Sequence, residues 1–362
     1  MNYMKTTFLT GDESTPSGRQ SSAARVPEIW VAIDGGGTST RCAVVTSAGK
    51  CVGFGQAGSG NPISAGMGRA MSAVTDSVAG ALAVAGLESN RVGSVQIALA
   101  GGSVDEPLDE ALVSALGRMG VAAPVTIHGD TLAAFCSGTY RESGYLLLAG
   151  TGAAALRIEN DEVVATADGL GWLLGDVGSG YWIGHKVATA ALDHLDRRGP
   201  ATPLTRLVAG ELGLDWEAGK ELDAEHRPAL LPSILTALYI DRPVRLARFA
   251  HLAFEAAGDP TADAIVAASA NGLVTTFNAV RVPEMVGPVV LAGGVLSRQP
   301  ALVRRLVTAA GWDSPEGPVL HTVPDGMAGA VVLGLRHHGA PVDAAVFETI
   351  TTSLARLRSP GP

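Results

Sequence analysis

From residue 28 onward, short apolar runs alternate with glycine-rich turns. Residues 28–34 (EIWVAID), 41–46 (RCAVVT) and 51–55 (CVGFG) read as three strands joined by turns at 35–38 (GGGT) and 47–50 (SAGK), an antiparallel meander. Over 63–86 the apolar residues Ile63, Met67, Met71, Val74, Val78 and Leu82 recur at steps of three or four, the period of one long amphipathic helix. A strand at 94–101, a helix marked by Leu108, Leu112, Ala115, Leu116 and Met119, and a strand at 124–130 follow. The order is β-β-β-α-β-α-β, ending on an acidic residue at a strand tip.

A second cycle opens with a strand and glycine turn at 144–152 (GYLLLAGTG), a returning strand at 153–158 and a third at 161–167. Helical sequence dominates 179–280, broken near 199–203, 232 and 242. A strand and glycine turn at 287–296 (GPVVLAGGVL), a helix at 299–309 and a last helix at 327–338 complete the chain. A strand, a glycine turn and a returning strand therefore occur twice. Such duplication predicts an α/β protein of two lobes with a nucleotide in the cleft.

Composition narrows the function classes. The 362 residues are 47% hydrophobic and 17% charged, as suits a globular protein of about two domains. A net charge of −9 without basic runs argues against nucleic-acid or anionic-membrane partners. Phosphate binding stays open, because backbone N–H groups can hold it. Cys42, Cys51 and Cys136 show no metal-ligand spacing and fit a reducing cytoplasm. Residues 1–28 are polar, lack the apolar segment of a signal peptide and are expected to be a disordered extension.

The candidate chemistry sits at the turns. In Asp34-Gly35-Gly36-Gly37-Thr38, successive N–H groups would form a nest for phosphate oxygens, with the Thr38 hydroxyl as a further donor. Asp34 would hold a water of hydrated Mg²⁺. An ordinary hairpin turn is the alternative. Gly150-Thr151-Gly152 is a second such turn, and two at equivalent places of a repeat favour phosphate over plain hairpins. Neither a GxxxxGK[ST] loop nor a strand-borne GxGxxG occurs, against a P-loop NTPase and a dinucleotide dehydrogenase. Asp130 reads as a helix N-cap, as a general base for an attacking hydroxyl, or as both. The stretch 169–184 (GLGWLLGDVGSGYWIG) combines a carboxylate, aromatic surface and backbone donors, the ingredients of a sugar site. Gly293-Gly294 would let a flat adenine approach the backbone, though a plain strand-to-helix turn explains it nearly as well.

These residues together resemble the BadF/BadG/BcrA/BcrD ATPase family, within the sugar kinase, actin and heat-shock chaperone superfamily. The similarity covers about 29–345 and rests on DGGGTSTR, LLLAGTG, GLGWLLGDVGSGYWIG and LAGGVLS, with GSGNP at 58–62 as the early substrate loop. It implies a duplicated actin-like, ribonuclease H-like fold. One lobe would span 29–141, completed by 335–358, and the other 142–334, joined near 131–142 and 327–338. It implies ATP and Mg²⁺ as cofactors, with phosphate contacts from Thr38 and Thr151 and nucleotide contact from Gly294. Asp130 would be the base and also bind the sugar, and Asn61, Gly169, Leu170, Gly171 and Asp176 would line the sugar site. This sequence departs from the family pattern at Gly129, Ala153 and Val177, where Asn, Ser and an acidic residue are usual.

The resemblance implies a kinase acting on N-acetylglucosamine, with glucosamine or another hexose as the alternative substrate. An ATP-driven electron activator of the wider family would need cysteines around an interfacial iron–sulfur cluster, which the positions of these three do not offer. A non-catalytic sugar- or nucleotide-sensing module is the third class, disfavoured by an intact Asp130. A cytoplasmic homodimer taking a small amino sugar, with no nucleic-acid or membrane partner, is the expected assembly.

Overall fold

The computed structural model describes residues 5–7, 26–99, 106–222 and 226–359. In chain order the strands are β1 (Lys5–Thr7), β2 (Ile29–Gly35), β3 (Thr40–Thr46), β4 (Cys51–Ala57), β5 (Val95–Leu99), β6 (Val125–Gly129), β7 (Gly144–Ala149), β8 (Ala153–Glu159), β9 (Glu162–Asp168), β10 (Val289–Ala292) and β11 (Leu320–Val323). The helices are α1 (Pro62–Ala65), α2 (Met67–Ala85), α3 (Glu106–Arg118), α4 (Asp130–Gly138), α5 (Gly180–Leu195), α6 (Leu204–Glu211), α7 (Leu230–Ile240), α8 (Leu252–Glu255), α9 (Pro260–Asn278), α10 (Gly294–Arg298), α11 (Pro300–Ala310), α12 (Met327–His337) and α13 (Ala344–Arg358). The chain divides into two units, 1–142 with 325–362, and 143–324.

In the first unit the sheet runs β1-β6-β5-β2-β3-β4. β2 pairs antiparallel with β3 without a slip from Ile29–Thr46 to Gly35–Thr40, and parallel with β5. Side chains alternate between faces along a strand. Val31 and Ile33 of β2 accordingly enter a core with Val74 and Val78 of α2 and Leu112 and Leu116 of α3. Trp30, Ala32 and Asp34 point the other way, toward α12, where a Cβ on Gly334 would overlap the Trp30 ring. That parity puts Asp34 beside the start of α12.

The expected long helix over 63–86 is two helices. Gly66 takes φ 83°, a left-handed conformation that ends α1 and starts α2 in a new direction. Met71, Val74, Val78 and Leu82 remain buried as the periodicity requires, while Met67 stands 41% exposed. Most of the extension 1–28 lies outside the described residues; within it, Lys5–Thr7 pairs antiparallel with β6. The segments expected to join the lobes instead pack together inside the first unit. Gly329 of α12 donates its N–H to Ser137 Oγ of α4 at 2.8 Å, and a Cβ there would overlap the Ala133 carbonyl. The chain passes between units at 142–143 and 324–325, so its return begins at Asp325 rather than 335.

The second unit repeats the plan, with sheet order β11-β10-β7-β8-β9, the order of β6-β5-β2-β3-β4. As β2 does in the first unit, β7 lies inside the sheet, antiparallel to β8 and parallel to β10. Tyr145, Leu147 and Ala149 of β7 pack on Ile183 and Val187 of α5 and on Leu273 and Phe277 of α9. Pro232 does not break the helical region where expected. It sits in the first turn of α7, where a helix has no partner for its N–H. No helix among the described residues is long and apolar enough to cross a membrane.

Candidate active site

In the first unit, the end of β2 carries the expected phosphate turn. Gly36 N–H closes it on Ser39 O at 2.9 Å. Gly35, Gly36 and Gly37 have no positive φ, so torsion does not require glycine at any of them, and space requires it only at Gly35. A Cβ on Gly35 would come within 2.5 Å of Leu99 Cδ1, and one on Gly37 would meet nothing within 4 Å. Thr38 is exposed at the tip. The loop 58–62 lies against this turn: Gly60 N–H donates to Gly36 O at 3.2 Å and Thr40 Oγ1 to Gly58 O at 2.9 Å. A Cβ on Gly60 would overlap Thr40 Oγ1. Asn61 is thereby brought next to the first phosphate turn.

Asp34 is only 6% exposed and is enclosed by charge. It faces Arg41 across the β2–β3 ladder, with Arg41 Nη1 3.3 Å from Asp34 Oδ2. Arg41 Nε also lies 3.3 Å from Asp325 Oδ2, and Arg358 Nη2 of α13 lies 2.8 Å from Asp325 Oδ1. Gly326 N–H, before α12, donates to Asp34 Oδ2 at 3.2 Å. Burial pushes the Asp34 carboxyl up to about 6, aided by the nearby Asp325 and Asp130 carboxylates, with Arg41 and the Gly326 N–H acting against them. Arg41, Asp325 and Arg358 were not singled out from the sequence. The one signal was a second strand-end acid, Asp325, placed after β11 as Asp130 is after β6.

Asp130 is the first residue of α4, and the N-cap is Gly129. The N-cap reading of Asp130 is thus displaced by one residue: its carboxylate sits in the positive first turn and accepts N–H groups there. Burial raises its pKa above the ordinary carboxylate value, against backbone N–H bonds from Thr131 and Asp130 that lower it. His128 on β6 is buried and bonds Gln96 Oε1 at 2.8 Å, beneath His337 of α12 at a ring separation of 6.2 Å. It belongs to the packing of the sheet on α12. The three cysteines are buried, and burial pushes the Cys51 thiol up to about 12 and that of Cys42 higher. None presents the surface thiolate that an interfacial iron–sulfur cluster requires.

In the second unit the second phosphate turn is moored to the start of α5. Gly150 N–H bonds Gly152 O at 2.9 Å, Gly180 N–H bonds Gly150 O at 2.8 Å, and Tyr181 N–H bonds Thr151 O at 3.1 Å. The turn after β10 lies beside it: a Cβ on Gly150 would be 3.8 Å from Gly294 N. Gly293 takes φ 92°, and a Cβ there would come within 2.5 Å of the Ala149 backbone, so both space and torsion select glycine.

Asp176 joins the stretch 169–177 to the same turn. It is 7% exposed, its Oδ1 accepts the Ala153 N–H at 3.0 Å, and a Cβ on Gly152 would stand 2.9 Å from its carboxylate. Burial raises its pKa, the Ala153 N–H lowers it, and nearby Asp168 raises it. The Ala153 contact runs through the main chain, so Ala in place of Ser leaves it intact. Val177 packs on α9, where a Cβ on Gly272 would come within 2.5 Å of Val177 Cγ1. Beyond that contact the residue is 37% exposed. Trp172 lies against Tyr181 with ring centroids 5.7 Å apart and the planes tilted by 60°. The unit thus gathers Gly150, Thr151, Gly152, Gly169, Leu170, Gly171, Asp176, Gly293 and Gly294 around neighbouring turns. Among the described residues, no group of three His, Cys, Asp or Glu is arranged to hold a metal ion.

The model of the BadF/BadG/BcrA/BcrD ATPase family matches residues 31–334. The N-acetyl-D-glucosamine kinase of Dictyostelium discoideum is 29% identical over 326 residues, 85% of this chain and 98% of the relative. The glucosamine kinase of Vibrio cholerae is 28% identical over 189 residues, 52% of this chain and 63% of that relative. Among solved structures, a candidate N-acetylglucosamine kinase of Chromobacterium violaceum superposes with a TM-score of 0.66 at 24% identity, covering 86% of this chain and 99% of its own. That likeness carries the fold.

Proposed function

The chain belongs to the BadF/BadG/BcrA/BcrD ATPase family, and from that premise we propose that it transfers the γ-phosphoryl group of ATP to the 6-hydroxyl of N-acetylglucosamine. The reading is carried by the near-complete match to a kinase of that sugar, 98% of the relative's length. Asp130 is the group on which the chemistry turns. Its carboxylate accepts the proton of the sugar hydroxyl as the hydroxyl oxygen bonds to the γ-phosphorus and the bond to the β,γ-bridging oxygen breaks. ADP and the sugar 6-phosphate leave, and the proton passes to solvent. A carboxylate whose pKa is raised by burial is a stronger base than an exposed one.

Thr38, Thr151 and the N–H groups of Gly35–Gly37 and Gly150–Gly152 are assigned to the phosphates, and Gly293 and Gly294 to the adenosine. Asn61, Gly169, Leu170, Gly171 and Asp176 are assigned to the sugar. The Asp34 carboxylate is a hard oxygen donor of the kind a hydrated cation takes, and crowding by Asp325 and Asp130, opposed by Arg41 and the Gly326 N–H, favours a counter-ion there. Mg²⁺ would be held by Asp34 through water, and when bound it neutralises charge on the β- and γ-phosphates. The stretch 169–180 contains no Arg or Lys, which favours a neutral or cationic sugar over an acidic one. Glucosamine is the second reading, favoured by the relative from Vibrio cholerae.

The test is ADP release coupled to a dehydrogenase, with MgATP and N-acetylglucosamine, glucosamine, glucose or N-acetylmuramic acid. N-acetylglucosamine should give the highest kcat/KM, a 6-phosphate product and no turnover in EDTA. Absence of sugar-dependent ADP release with all four would overturn the reading, and a preference for the acidic sugar would overturn the pocket assignment.

A further inference from the structure

β9 ends at Asp168, and the chain turns there into the stretch assigned above to the sugar. Asp168 takes φ 61° and Asp176 φ 58°, both left-handed, a conformation Asp tolerates better than most residues. Two non-glycine residues so placed within one loop need something to hold them there. The Asp168 side chain supplies it. Its Oδ1 accepts the Asp176 N–H at 2.7 Å and the Leu170 N–H at 3.5 Å, and its Oδ2 accepts the Val177 N–H at 3.0 Å. One carboxylate therefore spans the base of the loop, tying its departing and returning ends together. Gly175 is glycine because a Cβ there would overlap Asp168 Oδ1. Beyond the clamp the returning chain is fixed again, by Ser269 Oγ of α9 donating to Gly178 O at 3.0 Å.

We propose that Asp168 is the positioning residue of this loop, setting the main chain of Gly169–Gly171 and the Asp176 carboxylate for the sugar without touching it. The inference rests on the sugar reading of the loop, but the clamp is a separate physical claim. Leu170, Leu173 and Leu174, 68%, 72% and 80% exposed, leave the loop's apolar contacts to Trp172 against Tyr181 and Val177 against α9, so the junction of its two ends depends on polar contacts. The neighbouring glycine turn has polar moorings of its own. The Gly150 and Thr151 carbonyls accept the N–H groups of Gly180 and Tyr181, bonds that do not involve Asp168, and only Ala153 at its end is reached by the Asp176 carboxylate. Loss of the carboxylate should therefore strike the sugar and spare the nucleotide.

Asp168→Gly removes the carboxylate while allowing the left-handed backbone. Asp168→Asn also tolerates that backbone and keeps the Oδ1 acceptor for Asp176 and Leu170, losing only the bond from Val177. In the full chain, the Gly variant should lower kcat/KM for N-acetylglucosamine by about 10²-fold, the scale of a misplaced substrate contact, with KM for ATP and Tm unchanged. The Asn variant should fall between it and the native protein. Amide hydrogen exchange without ligands should accelerate in the Gly variant at 170–177 and nowhere in β7 or α5. Native exchange in the loop of the Gly variant, native sugar kinetics, or an equal loss for sugar and ATP would each overturn the proposal. If the native protein phosphorylated no amino sugar, the functional reading would fail, and exchange at 170–177 would still decide the clamp.

Discussion

Replacing Asp34 by Asn should stabilise the protein while abolishing its activity. A carboxyl that titrates at about 6 when folded and near 3.8 otherwise costs the folded state about 3 kcal/mol once ionised in both. Asn removes that charge from beside Asp325 and Asp130 and keeps an oxygen for the Gly326 N–H. The loss of the Arg41 attraction is already contained in that figure, because the value of about 6 is what remains after Arg41 and the Gly326 N–H have lowered it, and Arg41 keeps Asp325. The net gain at pH 7.5 is then up to about 3 kcal/mol, or roughly 6–12 °C in Tm for a unit of this size. The sign with pH follows from the direction of the shift. Proton uptake by a raised carboxyl adds stability that is complete below 3.8 and lost as pH rises through about 6, so the advantage of Asn should vanish at pH 4. Calorimetry of both proteins in EDTA at pH 7.5 and pH 4 measures it, and taking the difference cancels every other titrating group. A variant less stable than the native protein at pH 7.5 would refute the reasoning, because Asp34 would then be a net-favourable partner of Arg41 rather than a strained carboxylate kept for function.

Asp130→Asn should lower kcat at least about 10²-fold, the scale of a lost general base, with ATP affinity by calorimetric titration preserved; near-native turnover would remove Asp130 from the chemistry. In the native protein, kcat/KM should fall on acidification through a pKa above the ordinary value for Asp, because the base must be ionised and its pKa is raised. Thr38→Ala should reduce turnover with little change in Tm, since Thr38 is exposed at its turn; a matching loss of Tm would make the residue structural. His128, held down to about 4 by burial and by His337, contributes stability that is present above 6.5 and lost as pH falls toward 4. Relative to His128→Gln, the native protein should lose up to about 3 kcal/mol over that window in urea titrations, and parallel curves would show that His128 does not titrate there.

The repeated strand, glycine turn and returning strand were legible in the chain because period-two apolar runs and glycine turns are local signals, present whatever the rest of the protein does. So were Asp34, Asp130 and the stretch around Asp176, each placed by a strand end or a glycine-rich turn. The break at Gly66 was not, because the apolar period of 63–86 continues through it and only the left-handed φ of Gly66 divides the helix. Nor was the setting of Asp34: Gly326 is 292 positions away and reaches it because β2 points Asp34 toward the face that α12 covers. Arg41, Asp325 and Arg358 form one network only after the chain returns at 325 to complete the first unit. Asp168 fell between the strand read at 161–167 and the stretch beginning at 169, and its role depends on a left-handed turn that aims its carboxylate back across the loop. Local pattern thus determined most of the elements and which turns are candidates for chemistry. Tertiary structure decided which distant charges share one buried space, because burial and proximity, the causes of pKa shifts and of a carboxylate's hold on main-chain N–H groups, belong to the folded chain alone.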